Sequence, residues 1–411
     1  MVNHRCFSRL RFLFAICALC ISTRRMDADE LPASFQISLP GHPFDVTASA
    51  DQQWIFVSIT SDEGKKPGIA VLKNTSGQIA VVRMVPMGRS PSGLVLTHHG
   101  DMLIATAGDY VVFFDTLRLE EGNGSPAFQW VARGAKAGCV YANVTSDDKT
   151  LFVSDESKQT ITVIDLERIR SLGRDSEVNL GRPTEAAAAV IGRIPVGSSP
   201  VALTFSKDGR WLFTTSEVAA LEWGWPRVLP QEGGKSSQRK VPEGAVVVVD
   251  VAKARINPQH CIVARVPAGG SPVRLALSPD GTHVFVSARS SNAVLVFDTA
   301  ELIDESGRAK PKKIEVGKSP VPIVVVADGK FVIVGNSNRY STDISEASTL
   351  TVLDTSRIGS ALNPVVGNIP CGAFPRNFCL APDGKMLLLT NFRSQSLQVI
   401  DVSHISMMSG Q

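Results

Sequence analysis

The sequence predicts an all-β fold, a seven-bladed β-propeller built from four-stranded antiparallel blades. Three observations support this prediction: a repeated unit of short strands, a tight turn that recurs seven times, and a recurrent aspartate at the end of one strand of the unit. The clearest copy of the unit lies at residues 269–320, between two Gly-x-Ser-Pro segments.

Within this copy, residues 273–277 form an apolar run, as expected of a strand buried on both faces. Asp280–Gly281 indicates a tight turn, because Gly tolerates positive φ and Asp can bond its own backbone. Further strands are predicted at 283–288, 293–297 and 312–316. Four antiparallel strands in one repeated unit are typical of a propeller blade.

The turn after the first strand marks the copies, and we count seven. It occurs at Asp51, His99–Gly100, Asp147–Asp148, Asp208–Gly209, Asp280–Gly281, Asp328–Gly329 and Asp383–Gly384. The third strand ends in an aspartate in six copies, at Asp115, Asp165, Asp250, Asp298, Asp354 and Asp401. Only the first copy departs, with Leu72–Lys73. We interpret the recurrent aspartates as turn formers and not as catalytic groups.

A closed ring of blades forms one domain, so we expect residues 34–404 to be a single propeller. The last blade has only three strands in its own sequence, at 377–381, 386–390 and 397–400. We expect residues 35–39, just before the first blade, to supply its outer strand and so hide two exposed sheet edges. Residues 23–33 are then a short linker and 405–411 a C-terminal tail.

Residues 1–22 are set apart from the repeats. Arg5, Arg9 and Arg11 precede an apolar run at 12–21, followed by small residues. This pattern is typical of a secretory signal peptide, cleaved after Cys20 or Ser22, and it predicts a secreted or periplasmic protein. The alternative is an uncleaved anchor, but ten apolar residues are short for a bilayer, and we expect no stable membrane insertion.

Composition excludes several classes of function. Cleavage after Ser22 lowers the net charge from +3 to 0, and no basic block with interleaved aromatic residues is present, so no nucleic-acid partner is expected. The histidines and the four remaining cysteines lack metal-ligand spacing, and we expect no metal and no cofactor. At least two of those cysteines are expected to be buried free thiols, and the protein a monomer.

Several motifs resemble a known family. Val-Gly-x-Ser-Pro before the first strand, Pro-Asp-Gly after it and Val-x-Val-x-Asp-Thr at the third are similar to YVTN-type propeller repeats over about residues 34–404. The last blade, at 374–391, also resembles the final blade of the seven-bladed, 6-phosphogluconolactonase-like lactonase family. The resemblance implies a propeller fold and, as a possible activity, hydrolysis of a lactone or sugar-derived substrate.

The lactonase motif has Pro-Arg-His-Leu on a first strand and Asn-Glu at the end of the following second strand. This sequence has Pro272-Val-Arg-Leu275 followed by Ala288–Arg289, so both the histidine and the glutamate are absent. Pro375–Arg376 is kept in the last blade. A general base would therefore be a carboxylate with a raised pKa, and the candidates are Glu156 and Glu217.

Turns after the second and fourth strands lie on one face of a propeller, where the central channel opens. Counting back from the recurrent turn gives one position per blade near this opening: Asp45, Gly93, Ala142, Ala202, Arg274, Pro322 and Asn377. Arg376 lies one residue earlier in the last blade, and the ends of second strands add Glu156, Glu217 and Arg289.

These positions form a ring of mixed charge. Convergent opposite charges at a channel mouth are consistent with a site for an anion or a carbonyl group. In the alternative interpretation, the charged residues pair with one another and fill the channel with solvated salt bridges.

An insertion at residues 217–244 carries Trp223 and Trp225 on the same face. Two tryptophans in a loop are consistent with a lid or with a platform for a sugar or a protein partner. In the alternative interpretation, they pack the loop onto its own blade.

We therefore consider three functions. The first is an exported binding or interaction module that uses the channel-mouth face, for an unidentified protein or for a small-molecule or carbohydrate ligand. The second is a lactonase-like hydrolase, with Glu156 or Glu217 as base and Arg274, Arg289 or Arg376 stabilising an oxyanion. The third is a structural protein of the cell surface.

Overall fold

The computed structural model describes residues 32–60, 64, 66–122, 127–132, 137–171, 189–230, 240–304, 306–340 and 348–405. Its strands form seven sheets of antiparallel strands, which confirms the predicted seven-bladed propeller. The predicted signal peptide, at 1–22, lies outside the described residues.

Each blade runs from an inner first strand to an outer fourth strand. Blades 1 to 3 comprise β2–β5 (His42–Ala48, Trp54–Thr60, Gly68–Thr75, Gln78–Pro86), β6–β9 (Leu94–Leu96, Met102–Ala107, Tyr110–Asp115, Ala127–Ala132) and β10–β13 (Cys139–Val144, Thr150–Asp155, Thr160–Asp165, Val190–Pro195). Blade 4 comprises β14 (Ser198–Phe205), β15 (Trp211–Val218), β17 (Lys240–Asp250) and β18 (Ile262–Gly270), and β16 (Val228–Pro230) is added to the extended end of β17.

Blades 5 to 7 complete the ring. They comprise β19–β22 (Pro272–Leu277, His283–Ala288, Ala293–Asp298, Lys312–Glu315), β23–β26 (Pro320–Val326, Phe331–Asn336, Thr349–Asp354, Val365–Pro370) and β27–β29 (Pro375–Leu380, Met386–Asn391, Ser396–Asp401). Short α-helices lie at Thr116–Glu121, Leu166–Ser171, Val251–Ala254 and Thr299–Ile303. Turns of 3₁₀-helix lie at Glu156–Lys158, Leu221–Trp223, Pro258–His260, Arg289–Ser291, Ala327–Gly329 and Thr355–Arg357.

The N-terminal strand closes the ring, as predicted. β1 (Ser34–Ser38) pairs with β29 as the fourth strand of blade 7, in a register that runs from Ser34 opposite Ile400 to Ser38 opposite Ser396. Leu39 follows the strand and is buried between blades 7 and 1. The two ends of the chain are therefore joined by sheet hydrogen bonds as well as by apolar packing.

The recurrent third-strand aspartates are turn formers, as the sequence indicated. In Asp115, Asp250 and Asp298 the carboxylate accepts a hydrogen bond from the backbone N–H three residues later, at 3.0–3.2 Å, and starts a short helix. Blade 1 has Lys73 at this position, and its chain turns directly through Ser76–Gly77, both with positive φ, into β5.

The apolar core is divided among the junctions between blades. Within the described residues, each of the seven junctions has its own cluster of buried side chains. The second and third strands contribute to both sides because their side chains are buried on both faces, as in β7. An eighth cluster lines the channel and is described below.

Hydroxyl groups on the second strands link neighbouring blades close to the channel. Ser287 Oγ accepts a hydrogen bond from the Arg274 N–H, at 3.2 Å, and donates to the Val321 carbonyl of the next blade, at 2.8 Å. Ser58, Thr106, Thr215 and Thr390 make the equivalent pair of bonds. These bonds hold the innermost strands in register with one another.

Blade 6 replaces this link by close packing. Pro322 has no N–H to donate, and Gly335 of the second strand lies against its ring. A Cβ on Gly335 would lie 2.6 Å from the Pro322 ring and 3.1 Å from that of Pro375, so the position has no room for a side chain.

The described residues include no helix that is long and apolar enough to span a membrane. The four described cysteines form no disulfide with one another, and Cys139 and Cys261 are buried, in line with the expectation for at least two of them. Burial raises the pKa of the Cys261 thiol to about 12, so this side chain is protonated and behaves as part of the core.

Candidate functional site at the channel mouth

The innermost strands share a local distortion that shapes the channel. In six blades the pairing register between the first and second strands shifts near the start of the first strand, as between Pro272 and Arg274 and between Pro375 and Asn377. Such bulges re-aim side chains. Consecutive residues, such as Arg376 and Asn377, can therefore both contribute to the channel.

The position predicted for blade 3, Ala142, is wrong. Tyr141 lies opposite Ser154, as Arg274 lies opposite Ser287 in blade 5, whereas Ala142 is one residue further along. The reason lies in the turn after the first strand. Asp148 adopts a φ of +53° and takes the place that glycine has in other blades, so the position must be counted back from Asp147 and not from Asp148. The channel ring therefore contains a tyrosine that was missed by counting from the wrong aspartate.

Asp45 holds three blades together at the channel. Its carboxylate accepts hydrogen bonds from the Asn377 side-chain amide of blade 7 and from the Leu94 N–H of blade 2, the latter at 2.9 Å. Burial raises the pKa of Asp45, and the nearby positive charge of Arg274 opposes this shift. Asp45 and Asn377, both predicted from the sequence, are thus brought into contact.

Arg274 stacks on the tyrosine that replaces Ala142 in the ring. Its guanidinium carbon lies 3.4 Å from the centroid of the Tyr141 ring. Burial lowers the pKa of Arg274 and the charge of Arg376 acts in the same direction, whereas Tyr141 and the carboxylate of Asp45 oppose the shift. Within the described part of the chain, Nε and Nη2 of Arg274 are buried and have no hydrogen-bond partner.

An apolar collar surrounds this level of the channel. Tyr141, Val201, Val273 and Val321 are buried in one cluster, and Phe44 packs against it. Arg376 comes from the same register as these residues, and its guanidinium carbon lies 4.2 Å from the centroid of the Phe44 ring. A charged group inside such a collar is poorly screened by water.

Glu217 and Arg289 form a two-point ion pair between blades 4 and 5. Arg289 Nη1 donates to Glu217 Oε1 at 3.0 Å, and Nη2 donates to Oε2. Their side chains are 9% and 17% exposed for Arg289 and Glu217, respectively. The pair is therefore largely desolvated, and Glu217 is already neutralised by a partner.

Arg339 adds another cation to the mouth, from the loop after the second strand of blade 6. Its guanidinium carbon lies 5.5 Å from the ring centroids of Tyr340 and Phe374. Burial lowers the pKa of Arg339, and the charges of Arg289 and Arg376 lower it further. Arg339 was not among the residues predicted from the sequence. The feature that indicates it is the Arg339–Tyr340 pair, which lies in an insertion after a second strand, on the face where the channel opens.

Glu156 has a raised pKa. Burial of its carboxyl group raises the pKa and the negative charge of Glu217 does the same, whereas the charge of Arg376 and a hydrogen bond from Ser199 oppose the shift. Among the candidate bases suggested by the sequence, Glu156 therefore carries a raised pKa and Glu217 is held in an ion pair.

Trp223 and Trp225 pack against each other in the blade 4 insertion. Their ring centroids are 5.9 Å apart, and Arg265, on the outer strand of the same blade, lies 5.2 Å from the Trp223 ring. Both rings are partly buried against the cluster between blades 3 and 4. Trp225 also lines a cleft between blades 4 and 5.

The arrangement can bind an anion through guanidinium groups. Arg274, Arg339 and Arg376 are each stacked on an aromatic ring, and none of them has a carboxylate ion-pair partner within the described residues. The same described residues contain no group of three metal-binding side chains. The interpretation in which the charges simply pair with one another holds for Glu217 and Arg289.

Comparison with known proteins supports the architecture. The family model described as "Lactonase, 7-bladed beta-propeller" matches residues 245–408, from the third strand of blade 4 to the end of blade 7. The chain is similar to this lactonase family. The resemblance read from the last blade is thus confirmed, while the match covers less than half of the chain.

A solved structure with the same fold is a chain of hydrazine synthase from Kuenenia stuttgartiensis. It superposes with a TM-score of 0.63 at 18% sequence identity, over 90% of this chain and 97% of that one. At this level of identity the similarity concerns the fold alone.

Proposed function

We propose that this protein is an exported propeller that binds a small anionic ligand at its channel mouth. One observation carries the proposal: Arg274 and Arg339 are both buried near the positive charge of Arg376, and burial and, to a lesser extent, that charge lower their pKa values, although Tyr141 and Asp45 oppose the shift of Arg274. A bound carboxylate or phosphate would relieve this repulsion, and poorly screened guanidinium groups bind such anions strongly.

The collar of apolar side chains favours a ligand with a compact body. Tyr141, Val201, Val273 and Val321 would surround the apolar or sugar part, while the guanidinium groups would bind the acid. The arginines are already oriented by their stacking on Tyr141 and Phe44, so little conformational entropy would be lost on binding.

The test is isothermal titration calorimetry of the full protein with phosphate, citrate and gluconate. We expect Arg376→Met and Arg274→Met, which keep an apolar stem against the ring, to weaken binding by about 10- to 100-fold, since a hydrogen bond to a charged group contributes about 1.5–3 kcal/mol. Arg210→Met is the matched control, because Arg210 also stacks on an aromatic ring, that of Trp211 at 4.5 Å.

Equal affinities in the wild type and both variants would show that the anion binds elsewhere. Absence of binding to all three anions would contradict the proposed function.

A second candidate is hydrolysis of a lactone, which the family match and the raised pKa of Glu156 favour. Glu156 would activate water as a general base, and Arg376 would stabilise the oxyanion that forms on the lactone carbonyl. The same samples, incubated with δ-gluconolactone in a pH-stat, separate the two functions. Acid release above the spontaneous rate, lost in Glu156→Gln, would establish catalysis. Release at the spontaneous rate would exclude lactone hydrolysis and favour anion binding as the function.

We propose that the protein acts outside the cytoplasm, on the basis of the pattern at residues 1–22. N-terminal sequencing of protein recovered from the periplasm or the medium is expected to start at Ile21 or Thr23. A start at Met1 in that fraction would contradict cleavage.

A further inference from the structure

A cleft lies between the outer strands of blades 4 and 5, outside the channel. Its volume is about 600 Å³. Trp225 and Leu229 of the blade 4 insertion form one wall, and Ala309 and Pro311, which follow the helix Thr299–Ile303, form the other. Such a volume suits one or two inserted side chains or a small ligand.

The walls of the cleft are anchored in the core. Leu302 is fully buried and Ala309 is 9% exposed, and both belong to the cluster between blades 4 and 5. On the opposite wall, Trp225 packs against Trp223, which is itself covered by Arg265. Preformed walls lower the conformational entropy that binding would cost.

The rim is strongly positive. Among the described residues that line the cleft, the cations are Arg227, Arg308, Lys310 and Lys313, and the acid is Glu243. The four cations are exposed, so they can meet a partner without losing a buried contact. An apolar floor with a cationic rim is complementary to an apolar anchor flanked by carboxylates.

The edges of the cleft favour an extended chain. Among the described strands, β16 pairs with β17 alone and β22 with β21 alone, so each of these strands has an outward edge in its sheet. Extended peptides commonly run along such edges. We propose that this cleft binds an extended acidic segment of a partner protein, with one apolar side chain inserted against Trp225.

The experiment measures fluorescence anisotropy with the full protein and a labelled peptide, Glu-Asp-Glu-Asp-Leu-Phe-Asp-Glu-Asp-Glu. We expect Trp225→Ala and the double variant Arg308→Glu/Lys310→Glu each to weaken binding about 10-fold or more, since they remove the anchor's contact and the complementary charge. Trp225→Phe, which keeps an aromatic wall, is expected to stay near wild-type affinity. Melting curves verify that each variant is folded.

The matched control is Lys330→Glu/Lys385→Glu, which reverses two exposed charges at first-strand turns on the opposite face. It should leave binding within about twofold, because neither lysine lines the cleft and exposed charges are screened by salt. An equal loss in this control would overturn the proposal, as would undiminished binding of a peptide with Ser-Gly in place of Leu-Phe. Absence of peptide binding would overturn it as well. So would binding of an oligogalacturonate, an acidic saccharide, by a protein that does not bind the peptide.

Discussion

Deleting residues 23–40 is expected to lower the free energy of unfolding far more than deleting residues 407–411. The first deletion removes β1, which pairs with β29 over five residues, and Leu39, which is 6% exposed between blades 7 and 1. Loss of this packing alone should cost on the order of 4 kcal/mol, and an unpaired edge of β29 would add a tendency to aggregate. The shorter C-terminal deletion lies outside the described residues.

Urea unfolding of the two truncated proteins, followed by tryptophan fluorescence, measures the difference. Leu39→Ala tests the same packing with a single side chain and should cost about 2–5 kcal/mol. Leu362→Ala is its control, since Leu362 is 62% exposed and should change stability by less than about 0.5 kcal/mol. Equal unfolding midpoints for the two truncations would mean that β1 does not close the ring.

Glu217→Ala is expected to destabilise the protein by about 3–5 kcal/mol, because it leaves the guanidinium group of Arg289 buried without its carboxylate. Arg289 Nη1 and Nη2 would both lose their acceptor. The double variant Glu217→Leu/Arg289→Met should recover most of this loss, since two apolar side chains of similar size can replace a buried ion pair.

Chemical denaturation of the wild type, Glu217→Leu, Arg289→Met and the double variant gives the coupling energy of the pair. Glu222→Ala is the matched control, because Glu222 is an exposed glutamate in the same insertion and should be nearly neutral. If Glu217→Ala costs as little as Glu222→Ala, the pair is solvated and the channel mouth is wetter than its geometry indicates.

Repetition made most of the fold predictable. A strand or turn that is ambiguous in one copy, such as the His99–Gly100 turn, becomes clear when it falls at the same place as Asp208–Gly209 and Asp280–Gly281. The predicted second strand of blade 5, His283–Ala288, has the bounds that the structure shows. The closing strand was predicted within one residue because a three-stranded final blade needs a partner for its edge.

The candidate site was harder to predict, and the error in blade 3 shows why. An aspartate can adopt the left-handed conformation that is usual for glycine, so Asp147 and Asp148 are not distinguished by residue type alone. A shift of one residue exchanged Tyr141 for Ala142, and Tyr141 is the ring on which Arg274 stacks.

The sequence alone determined the class of fold, the number of blades and the way the ring closes. These follow from local patterns that repeat, because each blade is one hairpin-linked unit with its own turns. Only the tertiary structure decided which charges are paired. Glu217 meets Arg289, whereas Arg274 and Arg376 meet aromatic rings, because these contacts join side chains from different blades and depend on the exact curvature of the ring.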